Sequence, residues 1–152
     1  MPRPLRFRPY SLRIRAIALV LAIASLAVGV TAVSQAARPS KRVATKAESP
    51  TLGKTVLTTT KSQTLYSLSA EKNGRFICTG PCLSTWHPLR VPSGTQPTGP
   101  VKLGTIERPE GGTQVTYRGK PLYHFGGDSK TGDANGEGIK DVGTWHAATV
   151  PG

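Results

Sequence analysis

The chain has 152 residues, of which 37% are hydrophobic and 6% aromatic, and its 20 Lys+Arg against 8 Asp+Glu give a formal net charge of +12. This length fits one small domain or two half-size units. Five basic residues precede residue 37, a net three more lie in residues 37–52, and only +4 remains for residues 53–152. That balance is spread along the chain and not interleaved with aromatics, which argues against a nucleic-acid partner.

In chain order, Arg3, Arg6, Arg8, Arg13 and Arg15 precede an uncharged, mostly apolar run of 18 residues, 16–33. Ser34-Gln35-Ala36 then places small residues where a signal peptidase cuts. Residues 1–36 therefore read as a secretory signal peptide with a helical apolar core. If left uncleaved, the run is near the lower limit for a membrane anchor and would give the chain its membrane contact. No two of these arginines are adjacent, which favours the general secretory route. No cysteine follows the run before Cys78, so lipid attachment at the cleavage point is not expected.

Residues 37–52 are basic and polar, with Arg38, Lys41, Arg42 and Lys46 against Glu48. They predict a disordered linker, a solvated tether that also suits anionic lipid or cell-wall polymer. Residues 55–60 and 113–117 are rich in β-branched side chains and predict strands. In the second of these, Val115 and Tyr117 alternate with Gln114, Thr116 and Arg118, giving one apolar and one polar face. Arg118-Gly119-Lys120-Pro121 reads as a turn into a strand over 122–125, and 144–150 predicts another strand. One short helical turn is predicted to begin at Pro81 and to end before His87-Pro88.

A short phrase occurs twice. Thr64-Leu65-Tyr66-Ser67-Leu68 is followed by Thr85-Trp86-His87, and Pro121-Leu122-Tyr123-His124-Phe125 by Thr144-Trp145-His146. Both tryptophans of the chain sit in these triplets. Scarce, large residues recurring in one order predict two copies of one unit packed together. The expected fold is all-β: a domain over 53–152 built of two related repeats, about 54–92 and 102–150, with short strands and at most one short helix. Tyr66, Leu68 and Trp86, with Tyr123, Phe125 and Trp145, are the predicted core.

These segments resemble the bacterial secreted-repeat, lipoprotein-15-like family, with its Tyr-x-(Phe/Trp/Tyr)-x-x-Asp motif. Tyr123-His124-Phe125-Gly126-Gly127-Asp128 fits every defined position, whereas Tyr66-Ser67-Leu68-Ser69-Ala70-Glu71 departs at Leu68 and Glu71. Cys78-Thr79-Gly80-Pro81-Cys82, Trp86-His87-Pro88-Leu89 and the stretch from Gln114 to Tyr123 also look like family segments. The resemblance implies export, often with a lipid anchor whose cysteine this chain lacks. It implies no activity.

Cys78 and Cys82 are the only cysteines, four positions apart, and in an exported chain they predict a disulfide. A redox pair normally has two intervening residues, and here there are three. His87 and His146 recur after tryptophan, and on a strand a buried tryptophan leaves its histidine exposed. His87 lies near Cys82 in sequence, a combination suited to copper or zinc, but no typical zinc spacing is present. Asp133-Ala134-Asn135-Gly136-Glu137-Gly138 matches the front half of a calcium loop, but Thr144 stands where the bidentate glutamate belongs, so a glycine-rich turn is the simpler reading. Asp128 or Asp141 would have to complete such a site. No nucleophile or phosphate-loop motif occurs, so neither an enzyme nor a cofactor is expected.

The sequence thus predicts an exported domain, secreted or held at the outer face of the cytoplasmic membrane. It would be a non-catalytic binding or structural module for an envelope protein or an anionic polymer, with His87, His146, Tyr123 and Asp128 as candidate binding residues. The alternative is an extracytoplasmic redox or metal-handling protein associated with electron transfer.

Overall fold

The structure, a computed structural model, describes residues 37–72 and 74–152. The expected signal peptide and its helix lie outside them. The strands are β1 (Ser40–Arg42), β2 (Ala44–Ser49), β3 (Lys54–Thr59), β4 (Leu65–Leu68), β5 (Trp86–Pro88), β6 (Arg90–Val91), β7 (Gln96–Thr98), β8 (Leu103–Glu107), β9 (Thr113–Tyr117), β10 (Lys120–Pro121), β11 (Tyr123–Phe125) and β12 (Trp145–Ala147). The one 3-10 turn among the described residues, Gly80–Ser84, carries Pro81 in its first turn, where the helical turn was predicted. Among the described residues no helix is long and apolar enough to cross a membrane. The fold is all-β.

The central sheet has the order β12-β4-β11-β5. Its two middle strands are the repeated phrases, antiparallel, with Tyr66 opposite Tyr123. The outer strands are exchanged: Trp145 of the second copy pairs with Leu68 of the first, and Trp86 of the first pairs with Phe125 of the second. Each copy therefore supplies the edge strand of the other, which is the pairing a local two-fold axis between Tyr66 and Tyr123 requires.

The exchange continues beyond the central sheet. β6, which follows the first Trp-His, pairs with β9 of the second copy through Arg90 and Gln114. Thr149, which follows the second Trp-His, bridges to Val56 in β3. Leu89 N–H donates to the Leu122 carbonyl at 2.9 Å, and the equivalent Ala148 N–H donates to the Leu65 carbonyl at 2.8 Å.

Residues 40–49 are not the expected linker. β1 pairs in parallel with β7, and β2 pairs with β3 along six residues, from Ala44 opposite Thr59 to Ser49 opposite Lys54. This strand is the counterpart of β8, which pairs with β9 in the same sense. In both copies a threonine hydroxyl donates across the pair to a glutamate: Thr55 to Glu48 at 2.5 Å and Thr113 to Glu107 at 2.6 Å. The first repeat thus begins near Ala44 rather than residue 54. β2 is polar because it is an edge: Lys46 and Glu48 face water while Ala44 and Ser49 are buried.

β9 departs from its expected two-faced pattern, since Gln114 and Thr116 are buried along with Val115. β9 is an interior strand, paired with β8 along one edge and with β6 and β10 along the other. Gln114 is satisfied there, donating to the Leu122 carbonyl at 2.7 Å and accepting from Arg108. The turn from β9 to β10 is a two-residue loop, with Arg118 (φ 51°) and Gly119 (φ 75°) both left-handed as such hairpins demand.

The central sheet separates two apolar cores. On one face Tyr66, Leu68, Trp86, Tyr123 and Trp145 pack with Val56 and Cys78. On the other Leu65 and Leu122 pack with Leu57, Val115 and Leu103. Phe125, expected in the interior, is only partly buried and lies against Trp86 at the edge of the first core.

Candidate functional site

The aromatic face is closed by two reciprocal hydrogen bonds. The Tyr66 hydroxyl donates to Asp128 at 2.6 Å, and the Tyr123 hydroxyl donates to Glu71 at 2.9 Å. Asp128 and Glu71 are the matching last positions of the two motifs, so each motif's tyrosine bonds the other motif's acid. Burial in the core, then the neighbouring carboxylate, pushes the Tyr66 phenol far above its ordinary range; burial does the same for Tyr123.

Glu71 is fully buried and also accepts the backbone N–H groups of Ile77 and Cys78, both at 2.7 Å. The compensating cation is Arg108, 4% exposed, which donates to the Tyr123 hydroxyl at 2.9 Å and to the Cys78 carbonyl at 2.7 Å, and pairs with Glu110. Tyr123 thus relays between a buried cation and a buried anion. Nothing in the sequence singled out Arg108, because two of its partners, Tyr123 and Cys78, lie 15 and 30 positions away.

The candidate residues separate. Tyr123 is 0% exposed and committed to this network. Asp128 is partly buried, with one oxygen held by Tyr66 and the other by the Asn135 N–H at 3.0 Å; burial raises its pKa above the usual carboxylate value. His146 is exposed and bonds Glu137 at 2.9 Å. His87 lies in β5 and His146 in β12, the two opposite edges of the central sheet, so the structure does not bring them together.

Cys78 and Cys82 form the disulfide, with Cα atoms 5.3 Å apart, and pack into the aromatic core. His87 points to the other face of the sheet, since it neighbours the inward Trp86 on a strand. Histidine and sulfur therefore do not share a site. Among the described residues no group of three or more His, Cys, Asp or Glu side chains is placed to hold a metal ion.

The residues of the half calcium loop have other partners. Asp133 caps the backbone of Ser129 and Lys130, which holds its carboxyl below the usual range. Glu137 accepts from the Ala147 N–H at 2.7 Å. Gly136 lies flat against the aromatic core, where a Cβ would come within 2.7 Å of Trp86 and 3.0 Å of Tyr66. Asp141 accepts both indole N–H groups, at 2.9 Å from Trp145 and 3.3 Å from Trp86.

The opposite face of the sheet carries a different feature. His124 pairs with His87 across β11 and β5, with ring centroids 4.9 Å apart. Its Nδ1 is buried without a hydrogen-bond partner. Burial first, and then the nearby His87 and Lys61, lower its pKa, so the ring is neutral near pH 7.

His124 lines a groove of about 230 Å³ together with Lys41, Arg42, Lys61 and Arg90. The groove has no acidic lining residue. Arg90 reaches Glu110 at 3.5 Å outside it, while Lys41, Arg42 and Lys61 make no ion pair among the described residues. Sequence reasoning missed this site because it assigned Lys41 and Arg42 to a linker; β1 and β7 instead fix them beside the β3–β4 turn. A larger depression of about 620 Å³ beside β8 and β9 is mainly apolar, lined by Val101, Leu103, Tyr117 and Pro151, and carries two cations, Lys102 and Arg118, against the four of the groove.

No curated protein and no solved structure matches the chain. Residues 104–149, running from within β8 to just past β12 and so spanning the second repeat, match the lipoprotein-15 family model, which describes a secreted repeat of unknown function.

Proposed function

We propose that the protein is an exported, non-catalytic binding module at the cell envelope, and that its groove beside His124 holds anionic groups of an envelope polymer. The observation that carries this reading is the gathering of Lys41, Arg42, Lys61, Arg90 and His124 around one cavity with no carboxylate in its lining. Cations converging on a cleft, here with Lys41, Arg42 and Lys61 in no ion pair among the described residues, recruit anions both by local potential and by charge-assisted hydrogen bonds. The neutral His124 adds a hydrogen-bonding group without adding charge. The aromatic face holds the fold, and its acids are engaged by tyrosines, indoles and backbone N–H groups rather than arranged as an acid–base pair.

The test is calorimetric titration of the folded domain with inorganic tripolyphosphate at low and moderate salt. Binding should weaken with salt, and Lys41→Ser/Lys61→Ser should weaken it at least about tenfold, as expected for losing charge-assisted hydrogen bonds. Equal affinity in that variant sinks the reading. So does turnover of the probe that one substitution in the groove abolishes.

The alternative, redox or metal handling, rests on His87 and His124 alone, because the disulfide lies on the other face of the sheet. Metal content of untagged protein separates the two: stoichiometric copper or zinc lost in His124→Ala favours the alternative.

A further inference from the structure

The local two-fold axis has a counterpart for the basic groove. Counted from the motif tyrosines, Lys61 corresponds to Arg118, Gln63 to Lys120, and His124 to Ser67. Counted from the tryptophans, Leu89 corresponds to Ala148 and Arg90 to Thr149. Arg118, Lys120, Ser67, Ala148 and Thr149 all line one cavity of about 290 Å³, close in size to the first. Its lining also lacks an acidic residue. The turn that precedes each motif and the segment that follows each Trp-His therefore line a cleft in both copies, the second without counterparts of Lys41 and Arg42.

The two clefts lie on one face of the central sheet. His124 is opposite Leu65 in register, and Ser67 shares its strand face with Leu65. The buried pair Leu65 and Leu122 lies on that same face, with one cleft toward the β5 edge and the other toward the β12 edge. The second cleft keeps two cations: the Arg118 guanidinium rests 5.0 Å from the Tyr117 ring centroid, and Lys120 makes no ion pair among the described residues. A planar guanidinium held against an aromatic ring is already ordered for bidentate capture of an anion.

We propose that the second cleft is also an anion site and that one polyanionic chain bridges both, making the two-repeat molecule bivalent for its polymer. This rests on the reading of the first groove given above. Bridging makes the second contact intramolecular, so a long chain binds far more tightly than a fragment that fills one cleft.

The experiment compares tripolyphosphate with long-chain inorganic polyphosphate on four proteins. These are the unsubstituted domain, Lys41→Ser/Lys61→Ser, Arg118→Asn/Lys120→Ser, and the control Lys72→Ser/Lys130→Ser, which removes two exposed cations outside both clefts. The unsubstituted domain and the control should bind two tripolyphosphates, and each cleft variant one. Long-chain polyphosphate should bind the unsubstituted domain about a hundredfold or more tighter than tripolyphosphate. That gain should vanish in either cleft variant. A single tripolyphosphate site, lost in Lys41→Ser/Lys61→Ser and untouched by Arg118→Asn/Lys120→Ser, overturns the second site and leaves the first standing. Two sites without any gain for the long chain overturn the bridging. No binding of either probe by the unsubstituted domain overturns both readings together.

Discussion

The indole rings of Trp86 and Trp145 are stacked, with centroids 3.7 Å apart and planes at 10°. They come from equivalent positions of the two repeats and meet at the local two-fold axis. One carboxylate, Asp141, accepts the N–H of both rings. Around the pair, Tyr66 meets Trp86 and Tyr123 meets Trp145 edge-on, at 5.4 and 5.1 Å between centroids. Edge contacts of this kind place a ring's positive rim against its neighbour's negative face.

Replacing Trp145 by Ala removes the stack and leaves a large void. The expected loss is about 3–5 kcal/mol of a total of about 5–15. Asp141→Ala keeps the stack but strands two donors, and should cost about 1–3 kcal/mol. Urea unfolding followed by tryptophan fluorescence measures both. Near-native midpoints for Trp145→Ala would mean that the repeats do not pack through this pair.

Because each repeat completes the other's sheets, neither half should fold alone. Fragments 37–100 and 101–152 are expected to lack near-ultraviolet ellipticity when separate and to regain it on mixing, since the Trp86–Trp145 stack needs both. A cooperative, monomeric unfolding transition in either isolated fragment would refute the exchange.

Tyr66 and Tyr123 should not ionise in the range where ordinary phenols do. Both phenols are raised in the folded state, so they stabilise the fold below the ordinary tyrosine value of about 10, and that contribution is lost as pH rises above it. Ultraviolet titration of the folded domain should show Tyr66 and Tyr123 appearing only in an unfolding step. Smooth titration of both without unfolding would contradict the buried network.

His124 carries the opposite sign. Its folded pKa lies below the ordinary value of 6.5, so its contribution to stability is complete above that pH and is lost as pH falls through the lowered value. The groups around it are cationic or neutral: Lys41, Arg42, Lys61 and Arg90 in the groove and His87 alongside. Stability should therefore fall on acidification below about 6.5, and His124→Gln should remove that part of the slope. A bound anion should offset the same penalty, so tripolyphosphate affinity should rise over the same interval. A pH-independent affinity would exclude His124 from the site.

Reducing the Cys78–Cys82 bond should lower stability by only about 2 kcal/mol, because the closed loop is short. Both cysteines border the aromatic core, so a Cys78→Ala/Cys82→Ala variant should stay folded. Complete unfolding on mild reduction would show that the loop, rather than the aromatic cluster, holds this end of the domain.

The strands β3, β9, β11 and β12, the turn at Arg118-Gly119 and the inward Tyr and Trp residues were legible because each is signalled by local chemistry: β-branched runs, a left-handed turn and a repeat of large residues. The exchange of edge strands was not, since side-chain period fixes which face is buried but says nothing of which strand lies alongside. β2 was misread for a related reason. An edge strand holds its place through backbone pairing and small buried residues such as Ala44, and its exposed Lys46 and Glu48 look like a solvated linker in composition alone. The basic groove followed the same loss, because Lys41 and Arg42 become part of a site only once β1 is docked on β7.

The strand exchange also governs when the fold can close. Val56 in the first repeat waits for Thr149, 93 positions on, and Leu68 waits for Trp145, 77 positions on, so the central sheet stays incomplete until these downstream residues are present. A chain that emerges from its N-terminal side can form the local β2–β3 pair, but its β4 strand stays without sheet partners, and long loops must close before those contacts form. The central sheet then closes last, when β12 supplies its edge strand.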